Sequence, residues 1–189
     1  MYNMSSGTVD RARATQAMVE FFASLNLPPD AHAETAASPE RVAKLYADVL
    51  CAGYTYEADS DLMSDVLDTP SSDRIVVRDL SVRTTCPHHL LPASGTGSVW
   101  LQPSAKILGL GAYGRALTRL AARLVLQESL TADYANALFA ALSPAGLLVC
   151  LDMQHGCMVA SGECAEGSRV RTFAARGEVP ESAYVELGR

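Results

Sequence analysis

The chain has 189 residues, 49% apolar and 19% charged, with a formal net charge of −6. This length and balance fit one globular domain with a core of its own. They provide no global field to attract nucleic acid, no Lys/Arg-rich run supplies a local one, and no apolar stretch reaches the ~20 residues that a membrane span needs.

Residues 1–8 read as a flexible tail and 9–189 as a single domain, with N-terminal helices over 9–55 and a catalytic core over 74–177. The start, "MYNMSSGTVDRARATQ", lacks the apolar centre of a signal peptide, so a cytoplasmic protein is expected. "TVDRARATQAMVEFFASLNL" carries apolar residues at helical spacing. "SPERVAKLYADVLCAGY" opens with Ser38 as N-cap and Pro39 at the first helical position, and it aligns Val42, Leu45 and Val49 on one face. "EADSDLMSDVLDTPSSD" is acidic and turn-rich and reads as a connection. "RIVVRDLSV" alternates as a strand, and "SGTGSVWLQP" reads as the next one, reached through a glycine turn. "YGRALTRLAARLVLQESL" has the pattern of an amphipathic helix, and "TADYANALFAAL" of another, N-capped by Thr131. "AGLLVCLDMQHGCMVASG" is an apolar strand that turns polar, and "RVRTFAARG" is a last short strand. The order of helices, two strands, two helices and two strands indicates an α+β fold with an antiparallel sheet.

The five cysteines, at 51, 86, 150, 157 and 164, are an odd number. In a reducing compartment they favour metal binding or free thiols over disulfides. In "TTCPHHLLP", Cys86 and His89 stand three apart, which is metal-ligand spacing. Alone, that pair reads first as a buried cysteine beside a satisfied histidine. "HGC" adds His155 and Cys157, which in a strand would project from one face. Three of the four histidines (88, 89 and 155) adjoin these two cysteines, which favours one site over two unrelated polar spots. Two cysteines and one histidine plus water match a catalytic zinc, and the two spare histidines could move protons. Zinc lowers the pKa of its water to about 7, so this chemistry points to metal-assisted hydrolysis. Cys51 and Cys150 read as small core residues, and Cys164 as a loop thiol.

"SPERVAKLY", "TTCPHHLLP", "ILGL…R…LQESLT" and "HGCMVASG", in this order, resemble the GTP cyclohydrolase I family over roughly residues 10–177. The resemblance implies the tunnelling fold: an antiparallel sheet with helices packed on one face, the sheets of several subunits joining into a barrel. It implies a homo-oligomer, typically a decamer, with active sites between subunits, so that one chain's zinc meets another chain's base-reading residues. It assigns Cys86, His89 and Cys157 to Zn2+, His155 to protonation of the purine N7, and His88 to the sugar and later proton transfers. Activated water would open the imidazole ring at C8, formate would leave, and a pterin ring would close. Gln127 and Glu128 would read the base, the carboxylate accepting from guanine N1–H and the 2-amino group. Arg41 and Arg115 match phosphate-binding arginines.

Four positions depart from the family pattern. Its usual Ser-Lys after "GL" is Gly111-Ala112 here, its arginine four residues after the second zinc cysteine is Ser161, and its usual Glu between Cys86 and His88 is Pro87. Two of four expected phosphate cations are therefore missing. Each hydrogen bond to a charged group contributes about 1.5–3 kcal/mol, so the loss corresponds to roughly 10²- to 10⁴-fold in affinity. Arg119, one turn after Arg115, and Arg83 are candidate replacements, whereas Arg169 and Arg171 read as solvated surface groups. The expected function is a zinc-dependent hydrolase opening a guanine-type purine at C8, as GTP cyclohydrolase I or as a paralogue whose substrate has fewer phosphates or none. The alternatives are a tunnelling-fold enzyme acting on a pterin or deazaguanine, and a non-catalytic ligand-binding oligomer.

Overall fold

A computed structural model describes residues 9–56 and 58–188, so the tail expected at residues 1–8 lies outside the described residues. The chain forms two compact units, one reaching to Ala52 and one starting at Gly53. Among the described residues no helix is long and apolar enough to cross a membrane.

The first unit holds α1 (Arg11–Ser24), α2 (Pro29–Thr35) and α3 (Ser38–Leu45), with α1 packed along α3. The Asp10 carboxylate caps α1 by accepting the Arg13 backbone N–H at 2.9 Å. Ser38 is not the cap of α3. Ala37 holds that place without a side-chain bond, and Ser38 and Pro39 are the first helical residues. Pro39 is tolerated there because the first turn has no use for its missing N–H. The expected apolar face fails beyond Val42: Leu45 is 47% and Val49 55% exposed. After Leu45 the chain widens into a π turn, Tyr46–Leu50. Its i→i+5 spacing rotates later side chains off a 3.6-residue stripe.

The second unit runs α4 (Ala58–Met63), β1 (Val66–Asp68), β2 (Ile75–Thr85), β3 (Pro92–Gln102), β4 (Lys106–Leu108), α5 (Leu110–Ala121), α6 (Gln127–Leu142), β5 (Gly146–His155), α7 (Gly156–Ala160), β6 (Val170–Gly177) and α8 (Glu181–Glu186). β2, β3, β5 and β6 form an antiparallel sheet in that order. The acidic stretch expected to be a connection instead contains α4 and β1, and β1 pairs with β4. Its few apolar residues decide this, since Leu62 is buried and Val66 packs against the core.

The glycines of "SGTG" lie inside β3, not in a turn before it. A Cβ on Gly95 would sit 2.0 Å from the Asp152 carbonyl oxygen, and one on Gly97 would sit 2.7 Å from a Leu117 methyl. Both glycines serve close approach. The actual turn between β2 and β3 is "CPHHLL" itself.

The helix boundary at 121–127 also differs from expectation. Ala122 leaves helical geometry at ψ 50°. Thr84 Oγ1 donates to the Arg123 carbonyl at 3.1 Å, and Val125 N–H donates to the Thr85 carbonyl at 3.3 Å. The end of β2 thus captures residues that local propensity would leave helical. Thr131 is consequently not an N-cap: it is buried in the second turn of α6, where its hydroxyl donates to the Gln127 carbonyl at 2.7 Å.

Strand alternation sorts the core. Val99, Leu101, Leu147, Val149 and Leu151 turn towards α5 and α6. Trp100, Leu148 and Cys150 turn the other way and are covered by Ala183 and Leu187, at and just beyond α8. The two long helices occupy one face as expected; α8 on the opposite face is an addition. Burial pushes the Cys150 thiol up to about 11, in keeping with a core residue. Cys51 and Cys164 are half-buried, and all five cysteines are free.

Candidate metal centre and its cavity

Two chain reversals at one end of the sheet build the site. Cys86 follows β2 directly. Its N–H donates to the Leu91 carbonyl, and its carbonyl accepts from Leu90 N–H, both at 2.9 Å. Leu90 closes this loop in the left-handed region at φ 56°. The closure turns Cys86 into the protein and leaves His88 and His89 exposed. At the neighbouring strand end, His155 pairs with Ala93, and the chain then turns into α7. Gly156 permits the turn, because a Cβ there would lie 2.9 Å from the Pro92 carbonyl. His155 and Cys157 therefore do not share a strand face. The strand stops at His155, and Cys157 reaches the same cavity from the first turn of a helix.

One ligand atom each from Cys86, His89 and Cys157 lies within 4.8 Å of the others. The Cys86 Sγ to His89 Nδ1 separation is 3.7 Å. A tetrahedral zinc, with bonds of about 2.3 Å to sulfur and 2.0–2.1 Å to nitrogen, needs roughly 3.5 Å between such atoms. The donor set and spacing fit that ion. Burial raises the Cys86 thiol, but hydrogen bonds from the His89 backbone and ring, the His88 backbone and Cys157 outweigh it and hold the thiol below its ordinary value. Burial and the adjacent Cys86 hold the Cys157 thiol above its own. A cation between the sulfurs would favour both thiolates.

The three candidate ligands line a cavity of about 220 Å³ together with His88, Gln127, Glu128 and His155. The His88 and His89 rings stand 6.2 Å apart at 84°, so the adjacent imidazoles face different ways. Glu128 is exposed on the first turn of α6. Gln127 is only 2% exposed. Its Nε2 shares its two hydrogens among three acceptors, the carbonyls of Leu151 (3.1 Å) and Val170 (3.0 Å) and Thr172 Oγ1 (3.1 Å), and its Oε1 lies 2.7 Å from His155 Nε2. Gln127 and Glu128 thus share a cavity with the candidate ligand trio of their own chain. Thr131 and Thr172, which brace Gln127, went unseen in the sequence. The i, i+4 relation of Gln127 and Thr131 becomes visible only once α6 is known to start at Gln127.

Arg115 lines a different cavity, of about 340 Å³, with Arg119, Asp61, Asp65 and Ala112. Its Nη2 lies 2.7 Å from Asp65 Oδ2. Arg119 pairs with Asp61 and sits 5.3 Å over the Tyr56 ring. Ala112 is 1% exposed, and Ser161 is exposed at the end of α7. Arg41 belongs to α3 of the first unit and is exposed there; Arg83 is exposed on β2. Arg169 and Arg171 are more than solvated surface groups. Both hold Asp152, at 2.6 and 2.7 Å, because strand register sets Arg171 opposite it.

The sequence pattern describing the family GTP cyclohydrolase I matches residues 14–186. GTP cyclohydrolase 1 of Leifsonia xyli subsp. xyli is 37% identical over 175 residues, covering 92% of this chain and 91% of that protein. GTP cyclohydrolase 1 of Streptomyces griseus subsp. griseus is 31% identical over 181 residues, covering 95% and 89%. That of Rhodopirellula baltica is 34% identical over 189 residues, covering 98% and 81%. Among solved structures, the apo form of the archaeosine synthase QueF-Like aligns with a TM-score of 0.45 and 23% identity, over 59% of this chain and 99% of that one. With one family's pattern spanning most of its length and relatives matching nearly end to end, this α+β chain belongs to the GTP cyclohydrolase I family.

Proposed function

We propose that the protein is a zinc-dependent hydrolase that opens the imidazole ring of a guanine-type purine at C8, on a substrate with fewer phosphates than GTP or none. One observation carries the reading: a single cavity of about 220 Å³ holds a Cys86–His89–Cys157 trio together with His88, His155 and Glu128. Cys86, His89 and Cys157 would hold zinc. When bound, it would supply Lewis acidity that makes water a nucleophile near neutral pH. Glu128 accepts two hydrogen bonds from the N1–H and 2-amino edge, fixing the ring in the cavity. His155 holds a proton for N7, which draws electron density from C8. His88, turned away from His89, serves proton transfer on the sugar side.

The reduced phosphate content rests on charge. Ala112 and Ser161 bring no cation, and Arg115 and Arg119 already carry Asp65 and Asp61. A phosphate reaching either arginine meets a cation whose charge a carboxylate already offsets. In assembly, we infer a homo-oligomer of the family's decameric kind: β2 and β6 are the open edges of the sheet, and edge-to-edge joining would close it into a barrel. Free cysteines throughout suit a reducing, cytoplasmic setting.

Zinc content, and formate release from GTP, GMP, guanosine and guanine, test the function. About one zinc per chain is expected, with kcat/KM for GMP, guanosine or guanine at least tenfold above that for GTP, a difference of about 1.4 kcal/mol. GTP as the best substrate removes the reduced-phosphate reading. Bound zinc without formate from any of the four points instead to a pterin or deazaguanine sharing the same edge. Absence of zinc leaves a non-catalytic binding oligomer.

A further inference from the structure

We propose that Gln127 is a positioning residue for His155 and not a reader of the base. A directional hydrogen-bond network would fix the His155 ring with its hydrogen on Nε2 and its lone pair on Nδ1.

The directions follow from which groups can only accept. One amide atom of Gln127 lies 3.1 Å from the Leu151 carbonyl and 3.0 Å from the Val170 carbonyl. Carbonyls have no hydrogen to give, so that atom is the NH2. The other amide atom is then the oxygen, which can only accept. It lies 2.7 Å from His155 Nε2, so Nε2 carries the hydrogen. The threonines lock the same arrangement from behind. Thr131 Oγ1 donates its one hydrogen to the Gln127 backbone carbonyl at 2.7 Å. In its 2.6 Å contact with Thr172 it must therefore accept, and Thr172 donates. Thr172 Oγ1 is left to accept from the Gln127 amide at 3.1 Å. Flipping the amide would set its oxygen against two carbonyls and against a Thr172 hydroxyl whose hydrogen is already given to Thr131. Among the described residues no protein group bonds His155 Nδ1, so that nitrogen remains for a ligand.

With both amide atoms engaged and 2% of its surface exposed, the Gln127 side chain has no hydrogen to spare for a base. Base reading would fall to Glu128, the exposed neighbour in the same cavity. The catalytic half of the proposal, that His155 then meets the reacting ring through Nδ1 and passes to N7 a proton taken up there while Nε2–H stays on Gln127, rests on the hydrolase reading above. The tautomer does not.

Zinc-loaded protein labelled with 15N-histidine tests it through long-range 1H–15N correlations. The neutral His155 ring is expected as the Nε2–H tautomer. Gln127→Leu should give a mixture of tautomers, and Thr172→Val a partial loss of the single form that Thr172→Ser restores. With whichever substrate releases formate, Gln127→Leu should lower kcat roughly 10- to 100-fold with KM near the wild-type value, as for groups that orient a functional side chain. A hydrogen on Nδ1 in the wild type, or an unchanged tautomer in Gln127→Leu, overturns the proposal. So does a raised KM at unchanged kcat, which would mean that Gln127 touches the substrate. If no substrate turns over, the hydrolase reading falls, and the tautomer still decides the positioning role.

Discussion

Cys86 and Cys157 differ in the ease with which they ionise, although both are buried. The loop that follows Cys86 folds its own N–H groups and the His89 ring back onto the sulfur, whereas Cys157 has burial and a neighbouring sulfur against it. Without a cation Cys86 gives up its proton more readily than Cys157; a bound divalent cation would favour both thiolates. Removing either sulfur leaves only two protein ligands. Cys157→Ser is expected to lower zinc affinity by at least ~100-fold, because a neutral hydroxyl replaces a soft anion. After dialysis against buffered submicromolar zinc, metal analysis should find about one ion per chain in the wild type and under ~0.1 in the variant. Cys164→Ser, half-buried in a turn and outside the trio, should match the wild type. Equal loss in both variants would mean that the metal is held by cysteines generally. At this scale the sequence was informative, since spacing and the crowding of histidines identified the residues that share the cavity. The Gln127–His155 bond was not legible, because it depends on where α6 begins.

That starting point belongs to the element scale, where local pattern was reliable only for elements bound to their own neighbours. All four strands of the main sheet were legible, β2 from alternation and β5 from an apolar run that is buried on both faces. The break between α5 and α6 was not, because Thr84 and Thr85, some forty positions upstream, hold the backbone at 123–125. Nor was the π turn after α3, or β1, whose partner β4 lies beyond two whole strands. The β5–β6 pairing has its own electrostatic clamp. Burial raises the Asp152 carboxyl, but Arg171 and Arg169 outweigh it and hold it below its ordinary 3.8. A carboxylate depressed in the folded state binds protons more readily when unfolded. Its stabilisation is therefore fully present above the unfolded value and lost as the pH falls through the folded one. Asp152→Asn is expected to lower the urea midpoint near pH 7, with the gap from wild type shrinking as the pH falls below about 3.8 and closing once it is below the folded value. A gap that stays constant across that window would assign the loss to packing and not to charge.

Across the whole molecule the charge distribution bears on which substrate is accepted. The chain carries a net charge of −6, and Arg115 and Arg119, which share a cavity with Ala112, are matched by Asp65 and Asp61. A site lined by unpaired cations attracts a polyanion, and added salt weakens that attraction. Here Asp61 and Asp65 already offset the two arginines, so screening has little attraction to remove. The Debye length shrinks from about 10 Å at 0.1 M salt to about 3 Å at 1 M. Between those conditions, kcat/KM for GTP relative to guanosine should hold steady or rise. A several-fold fall would show that unpaired cations meet the phosphates after all. Asp65→Asn supplies the converse case. It leaves Arg115 without its carboxylate while keeping the Asp65 backbone carbonyl that accepts Gly109 N–H. The variant should shift preference towards GTP by up to about tenfold, the scale of one exposed charge-assisted contact. It should also reverse the salt response, so that the GTP advantage is largest at low ionic strength. If Asp65→Asn changed neither the preference nor its salt dependence, Arg115 would lie outside the reach of the substrate, and the reduced-phosphate reading would rest on Ala112 and Ser161 alone.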